Sequence, residues 1–298
     1  MRDTRRRRAA AVAAAAAVLG TSGLAGCGVL GGDGDGGQRR TLERRQVVVW
    51  DRRPDSVAAV GDSITRGFDA CSVLSDCPEV SWATGSDPDV DSLAVRLLGR
   101  DRASAHSWNY AVSGARMTDL PGQMAKAATR RPKLVAVLAG ANDACRTSVS
   151  AMTPVDDFRA DFERSMRVLR KKTSKAQVYV ASVPDLKRLW SEGRANPLGK
   201  QIWKLGICPS MLSDSDALDS AARKRRDAVR DRVVAYNAVL KDVCARDRRC
   251  RYDGGAVFDY RFGTDQLSHW DWFHPSRDGQ ARLAEIAYRR VTAKTPAG

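Results

Sequence analysis

The chain has 298 residues, 43% of them hydrophobic and 29% charged, enough apolar sequence for one core of somewhat over 200 residues. Its formal net charge of +15 favours anionic partners such as phospholipid head groups or wall polymers. No zinc, helix-turn-helix or aromatic–basic module accompanies the lysines and arginines, which excludes nucleic acid as an expected partner.

The N-terminus accounts for part of the charge. Five arginines against one aspartate in the first 26 residues contribute +4, leaving +11 for the remainder. "MRDTRRRR" is a basic segment, and the "AAAVAAAAAVLGTSG" that follows is too Ala-rich and too short for a membrane span. Leu24-Ala25-Gly26-Cys27 resembles a bacterial lipobox, so residues 1–26 are expected to be a lipoprotein signal peptide. Cleavage before Cys27 then leaves that cysteine lipidated, and the protein is anchored to the outer face of the cell membrane or secreted. Paired arginines raise twin-arginine export, but no apolar pair follows at the expected spacing. Residues 27–46 are Gly-rich and then charged, a flexible tether, and one folded domain is expected over 47–298.

Without Cys27, six cysteines remain, an even number in a chain addressed to an oxidising compartment. Cys71 with Cys77 and Cys244 with Cys250 close small loops, which leaves Cys145 for Cys208. No cysteine or histidine spacing points to zinc.

Within the domain, strands and helices alternate. "SVAAVG" (56–61) reads as a buried strand that stops at Gly61-Asp62-Ser63, and Leu93, Val95, Leu97 and Leu98 mark a short helix. "SWNYAV" (107–112) is a second strand, with Gly114 where the chain turns into a helix. "LVAVLAG" (134–140) is a third, followed directly by Asn142. Val155, Phe158, Phe162, Met166 and Leu169 keep helical spacing before a fourth strand, "QVYVASV" (177–183). Residues 185–215 then interrupt the alternation with Trp190, Trp203, Leu205, Ile207 and Met211, an apolar loop that serves either as an acyl-chain pocket or lid, or simply packs on itself. Val229, Val233, Tyr236, Leu240 and Val243 form another helix and "CRYDGGAV" (250–257) a weaker strand. Near the end, "HWDWFHPSRDGQ" puts Asp271 three residues before His274, and Pro275 opens a terminal helix through Leu283, Ile286, Ala287 and Val291. Continuous apolar strands separated by amphipathic helices imply a parallel sheet covered on both faces, with ligands beyond the carboxyl ends of its strands.

Those strand ends carry the parts of an acyl transfer. Ser63 is placed to attack a carbonyl, His274 to take its proton and Asp271 to orient the imidazole. The backbone N–H groups of Ser63 and Gly114 and the side-chain amide of Asn142 are candidate oxyanion donors. His269 is the rival base, but lies only two residues from Asp271. Asp62 and Asp143 are expected to brace their turns. An α/β-hydrolase would need G-x-S-x-G, and Thr65 stands where its second glycine belongs.

From about residue 56 to 290 the chain resembles the SGNH hydrolases, also called GDSL lipases and esterases: Ser63 in "GDSIT", Gly114 in "NYAVSGA", Asn142 in "GAND", and Asp271 with His274 in D-x-x-H. The one departure, Ile64 for the leucine of the family's name, is chemically neutral. The resemblance implies a flavodoxin-like three-layer α/β/α sandwich with a five-stranded parallel sheet. It also implies hydrolysis of a small-molecule or lipid ester through an acyl-enzyme, without metal or cofactor; the protein is expected to be a monomer. The competing reading is a lipoprotein that keeps the fold and binds a lipid or wall glycan without cleaving it.

Overall fold

Strand β1 (Val57–Gly61) is buried at every position, as a strand covered on both faces must be. It is the second strand of the sheet in the computed structural model, which describes residues 49–295; the expected signal peptide, Cys27 and the tether fall outside the described residues. Four further strands pair with it or extend from it in parallel: β2 (Ser107–Asn109), β3 (Leu134–Leu138), β4 (Gln177–Val180) and β5 (Cys250–Tyr252), in the order β2-β1-β3-β4-β5. This is the flavodoxin-like order, and the direction of winding reverses between β1 and β3.

Twelve helices are described: α1 (Ser63–Arg66), α2 (Leu93–Leu98), α3 (Arg100–His106), α4 (Leu120–Thr129), α5 (Ala141–Ala144), α6 (Val155–Lys172), α7 (Leu186–Gly193), α8 (Pro197–Trp203), α9 (Pro209–Leu212), α10 (Ser220–Ala245), α11 (Ala256–Asp259) and α12 (Arg277–Thr292). Right-handed crossovers put helices that precede and follow the reversal on opposite faces. Accordingly α4, α6 and α10 pack together in one layer, while α2 packs against α12. Phe158 of α6 stacks on Tyr236 of α10 with ring centroids 4.1 Å apart, both fully buried.

The strands are shorter than the sequence predicts. After Asn109 the chain still bonds to β1 through Tyr110 N–H and Val112 N–H, but it bends outward and becomes a wall of the site. The larger correction concerns residues 185–215. They hold α7, α8 and α9 rather than an irregular loop. Asp185 and Asn196 cap the first two through their side chains, and Pro197 and Pro209 stand at helix starts. Trp190, Trp203 and Met211 are buried in the core while Leu205 is 71% exposed, so most of the apolar residues there pack on the protein itself. Disulfides join Cys71 to Cys77, Cys145 to Cys208 and Cys244 to Cys250; the second ties the end of α5 to the start of α9.

Candidate active site

Ser63 is the first residue of α1, directly beyond the end of β1. The turn is tight: Gly61 has φ +150°, and a Cβ there would lie 2.0 Å from the Leu138 carbonyl oxygen of β3, so only glycine fits. Asp62 caps the helix by accepting from Ile64 N–H at 3.0 Å. Two buried glutamines hold the elbow. Gln123 of α4 accepts from Gly61 N–H at 2.7 Å and donates to Gly61 C=O at 2.9 Å. Gln280 of α12 donates to Ile64 C=O at 2.8 Å and accepts from Trp82 N–H at 2.9 Å.

His274 and Asp271 arrive on the loop before α12. Its two sides are pinned by Ser268 N–H to His274 C=O at 2.7 Å and by Trp272 N–H to Ser268 C=O at 2.7 Å. Trp203 of α8 donates its indole N–H to Asp271 C=O at 2.6 Å, which couples the helical segment to this loop. Asp271 is fully buried. Its Oδ1 accepts from Phe273 N–H and His274 N–H, both at 2.9 Å, and its Oδ2 meets His274 Nδ1. The opposite ring nitrogen, His274 Nε2, lies 2.9 Å from Ser63 Oγ. Burial works against ionising Asp271, yet the adjacent His274 and the donated N–H groups hold it below the usual carboxylate range. Burial likewise disfavours the imidazolium, but Asp271, with Asp69 and Asp62 behind it, outweighs that and raises His274 above its ordinary value. An ionised Asp271 accepts a hydrogen bond from Nδ1–H, leaving the Nε2 lone pair for the serine hydroxyl.

Gly114 and Asn142 come from the loops beyond β2 and β3. Gly114 has φ +81° and open space where a side chain would project. Asn142 donates one amide hydrogen to Ala115 C=O at 3.0 Å, and the second is left for the site. No acceptor among the described residues takes the backbone N–H of Ser63 or Gly114. These three groups, with Ser63 Oγ and His274, line one cavity of about 290 Å³, whose other walls include Phe68, Leu186, Leu189, Ile207 and Phe273. Cys145 and Cys208 line it too. The cavity is therefore a largely apolar cleft with a few polar atoms at one end.

Of the residues singled out in the sequence, Ser63, Gly114, Asn142, Asp271 and His274 are brought together, and His269 is not. His269 is exposed, with its ring 4.5 Å from that of Trp270. Asp62 and Asp143 brace backbone as expected, though Asp143 holds Met117 N–H of a neighbouring segment at 2.9 Å. Burial raises Asp62 to about 7 and Asp143 to about 6. The sequence reading missed Gln123, Gln280 and Asp69, a buried carboxyl beside Asp271. Among the described residues, two groups of side chains lie close enough to share a cation, Cys71–Cys77–Glu79 and Asp69–Asp271–His274. The two sulfurs of the first are bonded to each other, and in the second Asp271 and His274 are engaged with one another.

A family model described as GDSL-like lipase/acylhydrolase matches residues 57–287. The chain is 24% identical over 210 residues to mouse (Mus musculus) membrane-associated phospholipase B1, a match that covers 57% of this chain and 14% of that protein's length. Among solved structures, phospholipase A1 from Streptomyces albidoflavus is 19% identical with a TM-score of 0.44, over 80% of this chain and 99% of that one. The extracellular lipase of Streptomyces rimosus is 18% identical with a TM-score of 0.43, over 80% and 99%.

Proposed function

As the chain belongs to the GDSL-like lipase/acylhydrolase family, we propose that it hydrolyses carboxylic esters through an acyl-enzyme formed on Ser63. The observation that carries this reading is the line of contacts from Ser63 Oγ to His274 Nε2, at 2.9 Å, and from His274 Nδ1 to Asp271. The ester carbonyl sits over Ser63 with its acyl group against Phe68, Leu186, Leu189 and Ile207. Oγ attacks the carbonyl carbon while its proton passes to Nε2, and the carbonyl electron pair moves onto oxygen. The Ser63 and Gly114 N–H groups and the Asn142 amide receive that oxyanion. The tetrahedral intermediate collapses, the alcohol leaves with the proton from Nε2, and water repeats the sequence to free the acid. Asp271 stays ionised throughout and holds the ring.

Only neutral His274 can accept the serine proton. Because its neighbours raise it, activity is expected to fall with decreasing pH from a point above the ordinary imidazole value. The apolar wall of the cleft and the similarity to a phospholipase favour a lipid ester. An anchor at a lipidated Cys27 would bring such an enzyme to its substrate, and mass spectrometry of the mature N-terminus tests it. The activity itself is tested with p-nitrophenyl esters from acetate to palmitate. Turnover that requires Ser63 is expected, with the chain-length optimum separating esterase from lipase. No turnover of any ester, together with no labelling of Ser63 by a fluorophosphonate, would leave a binding protein.

A further inference from the structure

Asp69 is a carboxyl group that the proposed chemistry does not use. It sits in the turn after α1 with φ +57° and is 1% exposed. Its Oδ1 accepts from Leu74 N–H, and its backbone carbonyl accepts from Ser268 Oγ at 2.5 Å. It therefore fastens its own turn to the loop that carries Asp271 and His274. Its Oδ2 is buried without a donor among the described residues. The carboxyls of Asp69 and Asp271 offer oxygens within 4.8 Å of each other and of a His274 ring nitrogen. Two buried carboxylates this close repel one another, which favours a proton on one of them as the pH falls. Asp271 already accepts three N–H donors through both of its oxygens. The proton belongs on Asp69.

We propose that Asp69 is a positioning residue for the Asp271–His274 pair: protonated, it donates a hydrogen bond from Oδ2 to Asp271; ionised, it adds a second negative charge behind the imidazole. Its proton goes to solvent as the pH rises. Burial and the charge of Asp271 raise Asp69 to about 6, against opposing contributions from His274 and the Leu74 N–H. Above that pH the pair carries two negative charges instead of one, which stabilises the imidazolium that forms when His274 takes a proton. The charged groups facing His274 are Asp271 from its own loop, Asp69 from the turn after α1 and Asp62 from the end of β1. Those facing Asp69 are Asp271 and His274.

The consequence for turnover rests on His274 being the base of the proposed esterase, so the test includes a reading that needs no turnover. Asn at position 69 tolerates the left-handed backbone and keeps an N–H toward Asp271 but cannot ionise, and Gly keeps the backbone alone. The His274 titration is followed by NMR of the imidazole in Ser63→Ala protein, in a chain with only three histidines. Asp69→Asn is expected to lower its midpoint by about 1–3 pH units, the effect of removing an adjacent opposite charge; Asp69→Gly, which serves if the Asn variant misfolds, should lower it as well. In Asp69→Asn protein with Ser63 intact, the acid limb of kcat should follow to lower pH and the plateau should fall with KM unchanged, which a purely structural role would not produce. A midpoint unmoved in the folded variants, or an acid limb that stays where it was, overturns the proposal. A lowered midpoint in protein that hydrolyses no ester keeps the Asp69 coupling and removes only the esterase reading.

Discussion

The sheet edge and the helical segment Leu186–Leu212 contribute to the same cleft, but they are built differently. Ser63, Gly114 and Asn142 each follow a parallel strand, and the ladder fixes their relative heights. Gln123 and Gln280 then lock the serine turn from opposite helical layers. Across the cleft, α7, α8 and α9 are short, are stopped and started by caps and prolines, and are held by one disulfide and by Trp203. The segment offers side walls, Leu186 and Leu189 from α7 and Ile207 between α8 and α9, and no titratable group to the cavity. A reaction needs tenths of an ångström and a substrate pocket needs a shape, so Ser63, Gly114 and Asn142 on the sheet edge are suited to the first demand and the walls of the helical segment to the second. Damage to the first region should appear in kcat, and damage to the second in KM and chain-length preference.

The largest break comes from the contact that joins Ser63 to His274. Ser63→Ala or His274→Ala should each reduce kcat by about 10⁶ where residues of this kind act as a unit. The double variant should be no worse than either single one. Steady-state kinetics on a soluble short-chain ester, with circular dichroism to verify folding, read this directly. A double variant far slower than both singles would mean that the two side chains do not share one step.

Asn142→Ala tests the sheet edge without touching the nucleophile. Losing one oxyanion donor should cost about 10²–10³ in kcat with KM little changed. An effect confined to KM would move Asn142 from the reacting carbonyl to the pocket wall.

The same contrast governs what the sequence makes legible. Ser63, Gly114, Asn142, Asp271 and His274 announce themselves because each lies within a few residues of a strand end or helix start, where a short motif and a hydrophobic run meet. Gln123 and Gln280 act on backbone groups 62 and 216 residues away. Asp69 approaches Asp271 across a comparable span, and one acidic residue two positions before a disulfide-closed loop carries no local mark of that proximity. The helices of 185–215 were legible in part. Leu186, Leu189 and Trp190 keep i, i+3, i+4 spacing after Asp185, and Asn196-Pro197 is a helix start. Interrupted alternation and the glycines within the segment, Gly193, Gly199 and Gly206, obscured them, and only the packing of Trp190, Trp203 and Met211 shows that most of the segment is core.

The disulfide between Cys145 and Cys208 joins the two regions, so removing it sharpens the comparison. The bridge spans 63 residues, and a loop of that size stabilises by about 4 kcal/mol in the chain-entropy account. Cys145→Ala with Cys208→Ala should lower the midpoint of chemical denaturation accordingly. Because both cysteines line the cavity, the preferred acyl length should also broaden, while kcat on an acetate ester stays close to that of the parent protein. A kcat loss as large as that of Asn142→Ala would show that the helical segment holds the oxyanion turn in place as well as shaping the pocket.

The smallest effect is expected at His269, and its smallness is informative. By sequence it is a credible base, two residues from Asp271 on the same loop. In the fold those two residues turn it outward: Trp270 N–H bonds to Ser268 Oγ at 3.1 Å, and His269 lies exposed beside the Trp270 ring. His274 takes the opposite course, because Asp271 Oδ1 accepts from two successive backbone N–H groups and draws the following residues back over the carboxylate. The spacing of three is thus a geometric requirement of the loop: the side chain three residues on can return to the aspartate. His269→Ala should therefore leave both kcat and the acid limb of its pH profile in place, measured on the ester used for the Ser63 variant. If His269→Ala were inactive and His274→Ala active, the base assignment would reverse, and the Asp271–His274 contact would be a structural feature of the loop.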